Sequence, residues 1–258
     1  MRVRLRLIAL CLLLLTPLIG EARIFNYKEG GLAPYLRGTG GLSSLAQEPF
    51  AHSSGAGVTV NDRTNFNFGG ELGIVLGLTS NFHIRLGAEV LQEGIVNGDG
   101  VDSAGTAQFT LNSSVFVFNP NAVFEYVYRA TGSTRFFVEL GAGYSNVTVV
   151  NDYKMTPAGT TAFGVSDFKE TMEANVMSGI FGLGIESLFT DNVTFMIDVG
   201  YRYLPVYNLK YKNDANTILV PTGVRKGDAV LNDDGSNRKF NLGGPFGAIA
   251  FRFYLNFL

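Results

Sequence analysis

The sequence predicts an all-β fold, an eight-stranded antiparallel up-and-down transmembrane β-barrel. Three observations predict it: a period-two alternation repeated in separate segments, connections that are short and long by turns, and a secretory leader. Asn65 to Leu78 shows the alternation plainly. Phe66, Phe68, Leu72, Ile74, Leu76 and Leu78 share one parity, whereas Asn65, Asn67, Gly69, Glu71, Gly73 and Gly77 share the other. A period of two belongs to a strand with one apolar face and one polar or small face.

The leader is Met1 to Ala22. Arg2, Arg4 and Arg6 precede a short apolar core from Leu7 to Leu15, Pro17 breaks it, and Gly20 and Ala22 offer the small residues that a signal peptidase reads. The run is too short for a membrane-spanning helix, and no later run is long enough. Residues 23–258 are then one barrel domain. Cys11, the single cysteine, falls in the leader, so the mature chain has neither disulfide nor thiol chemistry. Without Arg2, Arg4, Arg6 and Glu21 the mature chain keeps 17 basic and 21 acidic side chains, a net charge of −4. That balance speaks against a nucleic-acid partner.

Eight strands are placed, at roughly 33–43, 64–78, 82–96, 108–128, 135–152, 172–189, 193–207 and 239–257. Thr79-Ser80-Asn81, Ala130 to Ser133, and Asp191-Asn192 make tight turns after the second, fourth and sixth strands. Ser44 to Arg63, Asn97 to Ala107, Tyr153 to Thr171 and Asn208 to Arg238 make long polar connections after the others. In the fourth strand Phe109 and Leu111 break parity with Phe116, Phe118, Phe124 and Tyr126, which predicts a bulge upstream of Pro120.

Alternation alone does not say whether the apolar face meets lipid or a core, and a soluble lipocalin-like barrel shares the pattern. The second face decides. It is mostly Gly, Ser and Asn with isolated charges of both signs, which suits a narrow lumen better than a water-facing surface. The inward parity carries Arg37, Glu71, His83, Arg85, Glu89, Glu93, Glu125, Glu139, Glu186, Asp198, Arg202 and Arg252. Charges there must pair or hydrate, so they are expected to form a network packing a polar core rather than an ion pathway. Parity also predicts that arginine at Ile74 is costly and that serine at Gly73 is mild.

The leader, the turn and loop asymmetry, the lumen charges and the end Phe251-Arg252-Phe253-Tyr254-Leu255-Asn256-Phe257-Leu258 together resemble the small eight-stranded outer-membrane barrels, the OmpA-, OmpX- and OmpW-like families. The resemblance covers about the whole mature chain. It implies a bacterial outer-membrane location among lipids, a monomer, and recognition of Phe251, Phe253, Leu255 and Phe257 by the barrel-assembly machinery. Those families end on the aromatic, and this chain adds Leu258.

Signals for chemistry are sparse. His52-Ser53-Ser54 resembles the His-x-Ser motif of outer-membrane lipid hydrolases, yet it sits in a Gly- and Ser-rich loop instead of a strand. Asp99, Asp102, Asp233 and Asp234 read as turn formers rather than metal ligands. Gly141-Ala142-Gly143 and Gly243-Gly244 introduce no helix and are not phosphate loops. No enzyme, cofactor or metal is therefore expected. The leading reading is a structural and surface-interaction barrel, with a narrow channel or transporter for small solutes, apolar ones included, as the alternative and a lipid-modifying hydrolase third. The candidate contact surface is loop 208–238, where Thr217 to Val220 and Ala229 to Leu231 are expected to pair as a free-edged hairpin, a dispensable module.

Overall fold

Alternation over short segments demands sheets, and a sheet in lipid must leave no open edge. In a computed structural model, residues 31–43, 59–60, 66–93, 96–218, 220, 222–232 and 235–255 are described. Eight strands form the barrel: β1 (Leu32–Leu42), β2 (Phe66–Gly77), β3 (Phe82–Glu93), β4 (Ala107–Ala130), β5 (Thr134–Met155), β6 (Phe168–Thr190), β7 (Val193–Tyr203) and β8 (Gly244–Phe253). Each pairs antiparallel with the next, and β8 closes the ring on β1, with Arg37 opposite Ala250. The three tight turns fall where the sequence places them. The leader, His52, Asp233, Asp234 and Phe257 lie outside the described residues.

The outward face is apolar. Leu36, Phe68, Leu72, Leu86, Phe124, Leu140, Phe181, Leu183, Ile197, Val199 and Ile249 are all exposed. Tyr126, Tyr128, Phe82, Phe189 and Phe253 ring the turn end of this belt, and Tyr144, Tyr201, Tyr203 and Tyr207 ring the other. Two aromatic girdles around an aliphatic band are the lipid-facing surface of a membrane barrel. Among the described residues, no helix is long and apolar enough to cross a membrane.

Strand length divides the molecule into two tiers. β1, β2, β3, β7 and β8 hold 10 to 12 residues. That is close to the ~9–11 needed to span a bilayer at a tilt. β4, β5 and β6 hold 24, 22 and 23, so they continue as a wall far beyond the belt. Along this wall the faces exchange chemistry. Thr110 and Asn112 on β4, Lys154 on β5, and Lys169 and Asn175 on β6 point outward and are exposed, while Leu111, Val115, Val149, Tyr153 and Met172 point inward and are buried.

A bulge upstream of Pro120 does occur, at Gln108, where Gly100 pairs with Phe109 and Val101 with Ala107, but the parity break from Leu111 to Phe116 comes from this exchange of faces. β4 pairs with β3 without a shift from Phe116 to Tyr126, and its register with β5 is the same on both sides of Pro120. Phe109 and Leu111 differ in parity from Phe116 because, above the lipid, the apolar face must turn toward a core. The one shift between β4 and β5 lies at Val127/Arg129, beside the turn.

The described parts of the connections after β3 and β5 are also built. Val96–Val101 continues the β3–β4 hairpin by pairing with Ala107 to Ser113. Helix α1 (Pro157–Phe163) is capped by the Thr156 hydroxyl, which accepts from the Gly159 amide at 3.0 Å, and ends on Gly164 at φ 69°, a conformation natural to glycine.

Candidate functional site

All twelve lumen charges expected from parity are buried. The structure brings most of them into one network at the turn end. Arg37 reaches Glu71 at 2.8 Å on the adjacent strand and Asp198 at 2.6 Å on β7. Arg85 lies 3.1 Å from both Glu125 and Glu139. Arg252 holds Glu125 at 2.6 Å and Glu186 at 2.9 Å. Glu186 also accepts from Arg135, Thr194 and, at 2.7 Å, the Tyr254 hydroxyl. The Arg135 guanidinium donates to the ring Nε2 of His83 at 3.0 Å, so that nitrogen is the acceptor there.

A second group lies toward the mouth. Arg202 pairs with Glu89, and Asn119 donates to Glu89 at 3.2 Å. The Ser145 and Ser178 hydroxyls donate to Asn119 Oδ1 at 3.0 and 2.9 Å. The ring of Phe246 contacts both groups, with the Arg37 guanidinium 5.2 Å and the Arg202 guanidinium 5.3 Å from its centre. Glu93 stands higher still and accepts from the Ser43 hydroxyl.

Ring position gives these pairs their meaning. β4 and β8 are opposite in an eight-membered ring, and so are β3 and β7. Arg252–Glu125 and Arg202–Glu89 therefore cross the lumen at two depths. A water-filled path would leave lumen side chains wet, yet Arg85, Glu186 and Arg252 are 0% exposed. Inward glycines make the packing possible: a Cβ on Gly184 would strike the Phe137 ring, and one on Gly87 would strike Tyr35 and Glu71.

Parity also carried residues not singled out from sequence. Arg135, Tyr35 and Tyr254 stand two positions from Phe137, Arg37 and Arg252 on the same face, so the signal was present. Glu170 and Arg238 had none, because one lay in an apparent loop end and the other in a polar connection.

The mouth is filled by the long connection after β7. Leu209, Tyr211, Ile218, Val224, Val230, Phe240 and Leu242 join Leu111, Val115, Val149, Met172 and Val176 in one apolar cluster. A hairpin does form here, but its arms differ from those expected. Lys210 pairs with Ala229 and Ala215 with Val224, and Leu231 bends back to Asn237. Thr217 and Ile218 fold into the core and are 0% and 6% exposed. The first arm lies on β6, with Lys210 opposite Glu173 and Tyr211 opposite Met172. Its other edge receives the Gly227 and Asp228 region, where Tyr211 donates to the Asp228 carbonyl at 3.0 Å. The first arm thus has both edges paired, and Thr217, Ile218 and Val230 have a core to enter. Asp102 serves a turn: its carboxylate accepts from the Ala104 and Thr106 amides and from Gln108.

A closed strand ring with a lipid-facing belt is how strands cross a membrane. Short turns at one end and long connections at the other are the pattern of bacterial outer-membrane barrels. The architecture is that of a small eight-stranded outer-membrane β-barrel, and the chain resides in that membrane among its lipids. No family model matches the sequence, and no curated protein does either. Among solved structures it is similar to outer membrane protein OprG of Pseudomonas aeruginosa, at 12% identity and a TM-score of 0.42, over 88% of this chain and 98% of that one. It is also similar to Neisserial surface protein A, at 10% identity and 0.42, over 87% and 97%. A third is the Escherichia coli outer membrane protease OmpT, at 7% and 0.44, over 88% and 94%. The class stated here rests on the barrel's own closure, belt and lumen.

Proposed function

We propose that this protein is a non-conducting, non-enzymatic outer-membrane barrel that braces the envelope and presents a folded outer tier for surface interaction. The observation that carries the reading is the pair of arginine–glutamate bridges spanning the lumen at two depths. Charges that cross the full bore and are sealed from water brace a wall; they do not line a path. His83, 3% exposed and set against Arg135 at the closed end, is a lumen hydrogen-bonder in this reading. The long connections then face the exterior, and the barrel, with no open edge in its ring, works as a monomer. Phe251, Phe253 and Leu255 on the last strand, with Phe257 beyond it, are the segment offered to the assembly machinery.

Planar-bilayer recording tests this. The purified barrel is expected to give no steady conductance across the voltage range. Well-defined open channels in the unmodified protein would support the transport reading instead. A lipid-hydrolysis assay with His52→Ala tests the enzymatic alternative: activity abolished by that change would overturn the non-enzymatic assignment.

A further inference from the structure

Strand parity carries the inward face past the ends of β7 and β8. Leu204 and Val206 continue the inward positions of Asp198 and Arg202, and Leu242 and Phe240 continue that of Phe246. Lumen charges give way here to apolar side chains, and all four are buried. Their backbones stay together: Pro205 pairs with Asn241 and Val206 with Phe240, and the Leu242 amide donates to the Leu204 carbonyl at 2.9 Å. This ribbon is a two-stranded sheet of its own, separate from the sheet that forms the ring. The ladder pairs just below it are Tyr203 with Gly179 of β6 and Gly244 with Arg202.

The inward row that meets the ribbon is apolar as well. Leu91 of β3, Val117 of β4, Val147 of β5 and Ala174 of β6 are successive register partners around the ring, and all are buried. They share one cluster with Leu204, Val206, Phe240 and Leu242. β3 stands opposite β7 in the ring, so this cluster joins the two sides of the bore. One inward step lower, Glu89 pairs with Asn119, which accepts from the Ser145 hydroxyl. A packed apolar row excludes water and ions without help from charge, because a bare ion in it has nothing to replace its hydration.

We propose that this ribbon is a stopper that closes the outer mouth by apolar packing alone, a second seal in series with the charged brace. The stopper presupposes the non-conducting barrel proposed above and adds to it the position of the outer seal. Cutting the Arg202–Glu89 bridge therefore leaves the mouth shut. Trimming the ribbon opens the upper bore, while the network at the turn end stays sealed.

Thiol accessibility of the whole barrel in detergent tests this, with the single cysteine, Cys11, replaced by serine. Ser145→Cys reports the bore just below the stopper, Ala250→Cys reports the turn end, and the probe is a small water-soluble methanethiosulfonate. Ser145→Cys is expected to react slowly in the otherwise unmodified barrel, and equally slowly when Arg202→Gln and Glu89→Gln are added together. Leu204→Ala with Leu242→Ala is expected to speed it about tenfold or more, as water enters the gap left in a packed apolar row, with Ala250→Cys unchanged. Exposure of Ser145→Cys by the bridge variant alone would overturn the stopper, as would a trimmed ribbon that leaves it slow or that exposes Ala250→Cys as much. Conductance of the unmodified barrel is recorded alongside. Open channels there overturn the non-conducting reading, whereas fast labelling of Ser145→Cys behind an intact ribbon overturns the stopper. Should the double trim block assembly, seen as lost heat-modifiable migration, Leu204→Ala alone is read by the same rates.

Discussion

At the scale of single residues, parity decides which substitutions the barrel tolerates, but contact decides how much. Ile74 faces lipid, and arginine there is expected to cost about 2–4 kcal/mol, read as a lower denaturant midpoint for folding into bilayers. Gly73, one position away, was expected to accept serine. The structure reverses that expectation, because a Cβ there would strike the Leu86 carbonyl and the backbone of Gly87. Gly38 faces outward with nothing near, so Gly38→Ala is the mild control in the same experiment. In the lumen, Glu186 accepts from Arg135, Arg252, Thr194 and Tyr254, and Glu186→Ala leaves two buried guanidinium groups short of a partner. The expected loss is about 3–5 kcal/mol. The half-exposed pair of Lys212 and Glu173 lies at 3.6 Å, and Lys212→Ala is expected to change stability by less than about 1 kcal/mol. Equal effects at Glu186 and Lys212 would show that the lumen network does not brace the wall.

At the scale of elements, the long connection after β7 is part of a core and not a free loop. Deleting Lys212 to Asp234 removes Ile218, Val224 and Val230 from that core. The membrane ring is still expected to assemble, since its pairing partners remain, but the wall's inner face becomes exposed. Increased binding of an apolar dye, with heat-modifiable migration kept, is the expected result. The same element has a pH dependence. Burial, and then the Glu170 charge, push the Tyr153 and Tyr211 phenols up from the ordinary value. In the undocked state both titrate near pH ~10. Below that pH they are neutral in both states and docking is unaffected; above it the undocked state gains by ionising, and docking weakens as pH rises. Tyrosinate absorbance should therefore appear in step with hairpin opening, and Tyr153→Phe with Tyr211→Phe should flatten that response. The strand positions of this element were legible in part: apolar patches near 217–220 and 229–231 were visible, but hairpin arms at 210–215 and 224–229 depend on which residues the wall buries.

At the scale of the whole molecule, a ring with no free edge should resist detergent until heated, so boiled and unboiled samples should migrate differently in electrophoresis. Identical mobility would contradict a closed membrane barrel. Strand count, antiparallel order, tight turns and twelve of the inward charges were determined by the sequence alone, because a period of two assigns each side chain of a recognised strand to a face without reference to any partner. Three things were decided only by tertiary structure. The pairing of Arg252 with Glu125 and of Arg202 with Glu89 depends on ring closure, which sets strands far apart in sequence opposite one another. The exchange of faces along β4, β5 and β6 depends on where lipid ends, since the same alternation serves a membrane below and a core above. The burial of Arg238 depends on the fold of a connection whose polar composition hides an inward-facing charge. Local periodicity assigns faces; only the closed barrel decides what each face meets.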